Sequence, residues 1–306
     1  MQDFSGGCDS GRTPTIASPE NPNGLKPNQT AWQNNCSNRA GGISPRGGWE
    51  YLTTLPSGLL YNCSYMYEPP GEFPYIIVCL GGRFYQVRVD TDNSVVDITG
   101  ANANPPLIDY GYMVQGEQFL VIQAGDGVTE PLVWDSVTLR RISAMGGAAP
   151  FLPAGLPMAY YMGRIWIANG RQYVAGDIVR GPSGTAPYAL TDSILHMTEN
   201  TYLTAGGVFT VPTNAGNIRA MNFPANLDTA LGQGQLLPAT RRSIYSVNVV
   251  PTRTEWIALV DPIQRVAQIN FGTTSDRSMV QVNGDLYYQS VDGVRSLTQE
   301  IGRAHV

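Results

Sequence analysis

Short runs of alternating apolar and polar residues recur along the chain after residue 50, and most of them end at turn-forming dipeptides. The stretch VNGDLYYQSVDGVRSL at 282–297 shows the pattern most clearly, with alternating runs on both sides of Asp292-Gly293. Asp-Gly between two such runs is a strong hairpin signal, because the turn needs positive φ angles that glycine adopts without steric clash. We therefore predict a β-hairpin with its turn at Asp292-Gly293.

Similar patterns appear in LGGRFYQVRVDTDNSVVDI at 80–98 and in MGRIWIANGRQYVAGDI at 162–178. The predicted turns between strands lie at Gly81-Gly82, Asp126-Gly127, Gly163, Asn169-Gly170 and Gly206-Gly207. Only DPIQRVA at 261–267 has a helix signature, with an Asp in the N-cap position, Pro in the first helical position and Gln two residues later. We therefore predict an all-β chain with one helical turn or two at 261–267.

The spacing of the hairpin glycines indicates a repeated unit. Gly82, Gly163 and Gly284 are 81 and 121 residues apart, which is close to two and three times 40. A period of about 40 residues with four short strands is typical of a propeller blade, and residues 51–306 would hold about six blades of roughly 42 residues. The sequence thus predicts a β-propeller-like domain at 51–306. A pair of β-sandwiches is the alternative that the pattern leaves open.

Residues 1–50 differ from the rest of the chain in composition. They contain few apolar residues and many Pro, Gly and Asn, so they cannot bury a core of their own. We predict an extended N-terminal arm that connects one subunit to the next, with disorder as the alternative. Trp32, Arg46 and Trp49 are the candidate contacts of this arm with a folded body.

Charge and hydropathy exclude several functional classes. Charged residues make up 14% of the chain, against about a quarter in typical soluble domains. The net charge of −5 does not fit a protein that reads DNA sequence with a basic face. No apolar run of 18 residues predicts a membrane span, and no basic and apolar N-terminal segment predicts a secretory signal. We therefore expect synthesis in a cytoplasm.

Residues that commonly carry catalysis or bind metal form no recognisable motif. The four cysteines, Cys8, Cys36, Cys63 and Cys79, have no CxxC spacing, and a cytoplasmic setting predicts reduced thiols. The two histidines, His196 and His305, accompany no nucleophile motif. The acidic segment at 90–97 lacks the Gly and Glu of a calcium loop, which favours a solvated turn. We predict no catalytic site, no metal site and no cofactor.

Several stretches resemble the tail nozzle, or tail tube, family of short-tailed bacteriophages. DFSGGCDSGRTP and AWQNNCSNRAGGISPRGGWEYL are similar to the extended N-terminal segment of that family. LPMAYYMGRIWIANGRQYVAGDI resembles one of its blades, and residues 255–297 resemble its most recognisable block. None of these stretches is catalytic. The chain is shorter than usual for the family, so the functions of the family's tip domains are not expected here.

The resemblance implies a non-enzymatic structural protein of the virion tail. It implies a six-fold ring of subunits around the DNA ejection channel, with contacts to the adaptor and portal and to tail fibre or spike proteins. An acidic lumen would let duplex DNA pass without specific binding, because few Lys or Arg would hold its phosphates. The sequence assigns no lumen-facing residues. Two alternatives stay open: a propeller that binds or cleaves carbohydrate, and a tail-fibre or baseplate scaffold.

Overall fold

The chain divides into two compact units, Met1–Leu52 and Thr53–Val306, in a computed structural model. In the first unit the structure describes four strands: β1 Thr13–Ile16, β2 Gly24–Leu25, β3 Cys36–Arg39 and β4 Gly42–Pro45. In the second it describes residues 53–89, 92–106, 110–146, 150–179, 192–199, 209–224, 234–250, 253–258, 263–282 and 284–297.

The first unit contains two small sheets. Strands β1 and β2 pair in parallel, and β3 and β4 form an antiparallel hairpin. Trp32, Arg46 and Trp49 lie outside the described residues, so their role as contacts of an arm stays a prediction. The extended course of the arm also stays a prediction.

The second unit consists of antiparallel sheets whose strands follow one another in chain order, which we call blades 1 to 5. Blade 1 contains β5 Tyr61–Tyr67, β6 Tyr75–Leu80, β7 Arg83–Val87 and β8 Val95–Asp97; blade 2 contains β9 Tyr112–Gly116, β10 Phe119–Gln123, β11 Leu132–Trp134 and β12 Leu139–Arg141; blade 3 contains β13 Met158–Tyr161, β14 Arg164–Asn169, β15 Gln172–Ala175 and β16 Phe209–Thr210; blade 4 contains β17 Ile218–Asn222, β18 Leu237–Thr240, β19 Ile244–Val249 and β20 Ile263–Ile269; blade 5 contains β21 Val280–Val282, β22 Asp285–Ser290 and β23 Gly293–Ser296.

Successive blades pack face to face. In β10 every residue is buried, and its side chains alternate between two clusters: Leu120 and Ile122 pack with blade 1, whereas Phe119 and Val121 pack with blade 3. A strand covered on both faces has no reason to alternate apolar and polar residues, and it therefore reads as a continuous apolar run. Similar clusters join blades 3 and 4 and blades 4 and 5.

These stacked four-stranded sheets confirm the predicted all-β, propeller-like fold. The described residues contain four blades with four strands and one with three, against a prediction of about six blades. The turns at Gly81-Gly82 and Gly163 are confirmed, with φ angles of 53°, 77° and 69°. The opening hairpin is confirmed too, but Ser290 pairs with Gly293, so its turn lies one residue earlier than predicted, at 291–292. Gly206-Gly207 lies outside the described residues.

The predicted helix at 261–267 is wrong. Residues Ile263–Ile269 form strand β20, which pairs with β19 along its whole length and completes blade 4. Pairing with a neighbouring strand overrides the weak local preference that an N-terminal helix signal provides. The α-helix α1 lies earlier, at Arg253–Ala258. No helix in the described part of the chain is long and apolar enough to cross a membrane.

A buried ion pair joins the start of β14 in blade 3 to a segment that is distant in sequence. Arg164 Nη1 donates to Glu199 Oε2 and to the Gly176 carbonyl, both at 2.9 Å. Its guanidinium lies 4.2 Å from the ring centre of Trp256 in α1. Asp177 Oδ1 accepts from the backbone N–H of Glu199 at 2.8 Å. The two side chains of the pair are each 1% exposed, so removal of either would leave a buried charge without its counter-charge.

We predict that Gly82→Ala strongly destabilises the fold. Gly82 has φ +77°, and a Cβ there would lie 2.0 Å from the carbonyl oxygen of Asn104. Backbone strain and the clash together should lower the free energy of unfolding by about 3 kcal/mol. Gly71 is the matched control, because its φ is +78° with no atom within 4 Å. Gly71→Ala should cost about 1 kcal/mol. Urea denaturation measures both values, and equal losses would contradict this account.

Candidate functional site in the central channel

The first strands of the blades line a central channel. Strands β5, β9, β13 and β17 lie next to one another in order, because each blade presents its first strand to the axis. Each of these blades contains four antiparallel strands, so the chain leaves a blade at the same end of the channel at which it entered that blade. All first strands therefore run in the same direction, and the channel has a mouth at the strand starts and a mouth at the strand ends.

The channel contains a cavity of about 650 Å³. It is lined by Tyr61, Cys63, Ser64, Tyr65, Gly111, Tyr112, Met113, Val114, Gln115, Met158, Ala159, Tyr160, Met221, Asn222, Phe223 and Arg277. Aromatic rings and uncharged polar groups dominate this lining. A cavity of this size is typical of small-molecule sites. It is too small for a DNA duplex, so a DNA path would have to lie elsewhere.

Gln115 organises the mouth at the strand ends. Its Oε1 accepts from the backbone N–H of Glu68 at 2.9 Å, and its Nε2 donates to the carbonyl oxygens of Glu68 and Glu117 at 2.8 and 2.9 Å. Glu117 lies in a tight turn with φ 53°, and its Oε1 accepts from the Tyr160 hydroxyl at 2.5 Å. Two exposed acidic residues are thereby held near one mouth of the channel.

The mouth at the strand starts carries positive charge. Arg277, in the 3-10 turn Asp276–Ser278 before blade 5, lies with its guanidinium 5.0 Å from the ring centre of Tyr110. Burial raises the pKa of Tyr110, Asp276 raises it further, and Arg277 and Arg219 oppose this change. This mouth therefore combines Arg277 and Arg219 with Asp276, whereas the exposed Glu68 and Glu117 lie near the other mouth.

The ionisation of the channel tyrosines depends on burial. Burial is the main cause that raises the pKa of Tyr112, with an added contribution from Asp276. Burial also raises the pKa of Tyr160, and its hydrogen bond to Glu117 adds to this effect. Next to the channel, burial raises the pKa of Tyr161 to about 12. All three hydroxyls therefore keep their protons at neutral pH and act as neutral hydrogen-bonding groups.

Of the residues that the sequence singled out as candidates for catalysis or metal binding, Cys63 lines the channel, whereas His196 and Asp92 do not. His196 is buried. Its backbone forms an isolated antiparallel β-bridge with Phe151, and the ring centres of the two residues lie 4.9 Å apart. His305 is outside the described residues. Asp92 Oδ1 accepts from the N–H of Ser94 at 3.0 Å and forms a turn, as expected for a solvated loop. In the ranges that the structure describes, no three His, Cys, Asp or Glu residues are grouped to hold a metal.

The channel residues themselves were not predicted. Gln115, Tyr160 and Arg277 belong to no sequence motif, and their shared property is a place in or before the first strand of a blade. Correct blade boundaries would have identified Gln115 and Tyr160, because the first strand of each four-stranded unit faces the axis, but not Arg277, which lies in a turn.

Comparison with known proteins assigns no family. No family model matches the chain, and no curated protein matches it. Two solved structures of BBS1N in complex with ARL6DN are similar to it. One, soaked with lead, has 11% identity and a TM-score of 0.38 over 83% of this chain and 66% of that chain. The other, soaked with mercury, has 14% identity and a TM-score of 0.39 over 82% and 67%. This chain thus spans about two thirds of their length, and such low scores carry no argument about its function.

We predict that the free energy of unfolding decreases between about pH 10 and about pH 12. An unfolded tyrosine ionises near pH 10, whereas Tyr160 and Tyr161 are held protonated by the fold. Their contribution is complete below the unfolded pKa and is lost as the pH rises towards the folded one. Urea denaturation at several pH values should show a shallower decrease in Tyr160→Phe and Tyr161→Phe. Ile165→Val is the control, since it trims a buried side chain without removing an ionisable group. An unchanged slope in both tyrosine variants would contradict the prediction.

Proposed function

We propose that the protein is a structural component of a bacteriophage tail, a nozzle subunit that forms a ring around the DNA ejection channel. The observation that carries this proposal is an apolar surface on blade 5. Val280 and Val282 lie on one face of β21, 52% and 45% exposed, and Tyr287 pairs with Val280 on that face, 38% exposed. Val294 on β23 is 77% exposed. We call these four residues the blade 5 patch.

The blade 5 patch lies on the sheet face that the preceding blade leaves uncovered. Leu286 and Tyr288, which alternate with the patch residues along β22, are buried against blade 4. Contiguous apolar surface of this kind marks contacts with other proteins. Among the described residues, no strand pairs with the outer edge of β23, and an open edge is a second feature that favours association.

A ring follows if the blade 5 patch contacts a different surface of the next copy. Such head-to-tail contacts close into a ring when the rotation between copies divides a full turn. The resemblance to the nozzle family favours six copies, with the adaptor and portal on one side and fibre or spike proteins nearby. A net charge of −5 per subunit, repeated around the ring, gives a negative field that does not retain DNA phosphates. The protein would then act without catalysis, after assembly into virions in the host cytoplasm.

We predict that Val294→Asp prevents self-association. A carboxylate within a subunit contact would be buried without a partner, which strongly opposes assembly. Light scattering coupled to size-exclusion chromatography should show a ring-sized species for the wild type and a monomer for the variant. Val128→Asp is the matched control, because Val128 is 83% exposed in a turn of blade 2 away from the patch. This control should assemble normally.

Electron microscopy of tail complexes, with this subunit labelled, then tests the position of the ring. A six-fold ring on the channel axis, below the portal and adaptor, would support the nozzle. A location away from the axis would overturn it in favour of a fibre or baseplate scaffold. If the wild type stays monomeric at micromolar concentration, with and without portal and adaptor, the assembly proposal fails.

Carbohydrate binding in the central channel is the second candidate. The aromatic rings of Tyr61, Tyr65 and Tyr112 line the cavity, and the hydroxyl of Ser64 lies beside them. Flat aromatic faces beside polar groups suit the apolar and hydroxyl faces of a sugar ring. Cleavage would need two converging carboxylates. Glu117 already accepts from Tyr160, so binding is better supported than cleavage.

We predict that, if this second candidate holds, Tyr61→Ala abolishes the binding of a surface oligosaccharide by the channel. Tyr61 is 50% exposed, so the exchange removes a ring face without opening the core. Glycan-array screening followed by calorimetry supplies the measurement. Tyr287→Ala removes a similarly exposed ring outside the channel and should leave sugar binding unchanged. Absence of any array signal for the wild type would exclude this candidate.

A further inference from the structure

Two cysteines face each other across the first hairpin of blade 1. Cys63 on β5 is the direct pairing partner of Cys79 on β6 in an antiparallel ladder. Directly opposed residues in such ladders have Cα atoms about 4.5 or about 5.5 Å apart. Both values lie within the range of about 4.4 to 6.8 Å that a disulfide bond spans. The backbone of blade 1 is therefore already suited to a Cys63–Cys79 bond.

The two thiols have different surroundings. Both side chains are buried, with 4% and 3% exposure, but only Cys63 lines the central cavity. Cys79 Sγ donates to Asn62 Oδ1 at 3.6 Å, behind the cavity wall. On the cavity side, Cys63 Sγ is covered by Gly111, where an added Cβ would lie only 3.0 Å from the sulfur. Any larger residue at Gly111 would press on the Cys63 thiol.

Hydrogen bonding between the two thiols, with the nearby charge of Arg277, makes Cys63 the more acidic of the two. Hydrogen bonding with Cys79 lowers the pKa of Cys63, burial opposes this, and the positive charge of Arg277 in the same cavity lowers it further. Hydrogen bonding with Cys63 and burial raise the pKa of Cys79. The thiolate is the nucleophile in cysteine oxidation. Cys63 therefore loses its proton first, and Cys79 keeps its proton.

We propose that Cys63 and Cys79 form a reversible redox site, in which Cys63 reacts with a small hydroperoxide in the channel and Cys79 converts the product into a disulfide. This proposal rests on the geometry of blade 1 and the channel, and it does not depend on the proposed tail function. The bond would join β5 to β6 at the channel wall. In a reducing cytoplasm both residues stay thiols, and oxidation follows transfer to an oxidising medium.

The reaction is balanced in two steps. The Cys63 thiolate attacks one oxygen of the hydroperoxide, the O–O bond breaks, and the leaving oxygen takes a proton. Cys63 is then a sulfenic acid. Cys79 loses its proton and attacks the Cys63 sulfur, the S–O bond breaks, and hydroxide leaves as water. With hydrogen peroxide, two thiols and one peroxide give one disulfide and two waters, so sulfur is oxidised and peroxide is reduced.

Intact mass spectrometry of the full chain tests the proposal in a Cys8→Ser, Cys36→Ser background, which leaves only the two facing cysteines. Treatment with one equivalent of hydrogen peroxide should lower the mass by two hydrogen atoms and remove both titratable thiols. A dithiol reductant should restore them. If both thiols survive a peroxide level that oxidises free cysteine, the pair is only structural and the proposal fails. This measurement needs no change in either facing cysteine, so it stands even if variants fold poorly.

The order of reaction is tested separately with a sulfenic-acid trap, dimedone. In Cys79→Ala the trap should label Cys63, whereas in Cys63→Ala it should leave Cys79 unlabelled. Labelling of Cys79 alone would overturn the assigned order. Arg277→Gln should slow the peroxide reaction about threefold or more, because it reduces the thiolate fraction of Cys63. Arg242→Gln removes an equal charge in an exposed turn of blade 4 and should leave the rate unchanged.

Discussion

Burial of both faces of each sheet is the constraint on which the propeller-like body depends. A blade buries its apolar residues on both faces only if something packs against each face, as the neighbouring blades do for blade 2. Strand β10 meets this requirement completely, with side chains alternating between blade 1 and blade 3. Blade 5 meets it on one face, through Leu286 and Tyr288, and leaves the other face exposed. The surface proposed for assembly is thus the point where this stacking stops.

The same stacking decides the chemistry of the channel. Since each blade turns its first strand to the axis, the channel wall is built from segments that carry Tyr, Gln, Asn and Cys beside Met and Val. Side chains that are close in space then come from four blades that are far apart in sequence. Gln115 illustrates the effect, because its amide fixes the backbone of Glu68 on blade 1 and of Glu117 on its own blade. The site is therefore formed by the packing of blades around the axis within one chain, and no local sequence motif encodes it.

Local signals predicted much of the fold and little of the site. The glycine-marked hairpins were recognisable because positive φ angles restrict the residues allowed there, as at Gly82. The helix expected at 261–267 failed because pairing with β19 overrides the local signal. The real helix start was detectable, since Thr252 is followed three residues later by Glu255, the pattern of a capping box. By contrast, the pairing of Arg164 with Glu199 joins distant segments, and no single-sequence pattern encodes such a partner.

The connection between β15 and β16 in blade 3 is much longer than a hairpin requires, and it is tied to the body part of the way along. Asp177 and Arg164 hold the residues around Glu199 on blade 3 before the chain returns to its fourth strand. Such an anchor divides one long connection into two shorter ones. Each doubling of the length of a loop adds only about 0.6 kcal/mol to the free-energy cost of closing it. Changes in the length of either part of this connection should therefore cost little closure entropy, as long as the residues around Glu199 stay anchored on blade 3.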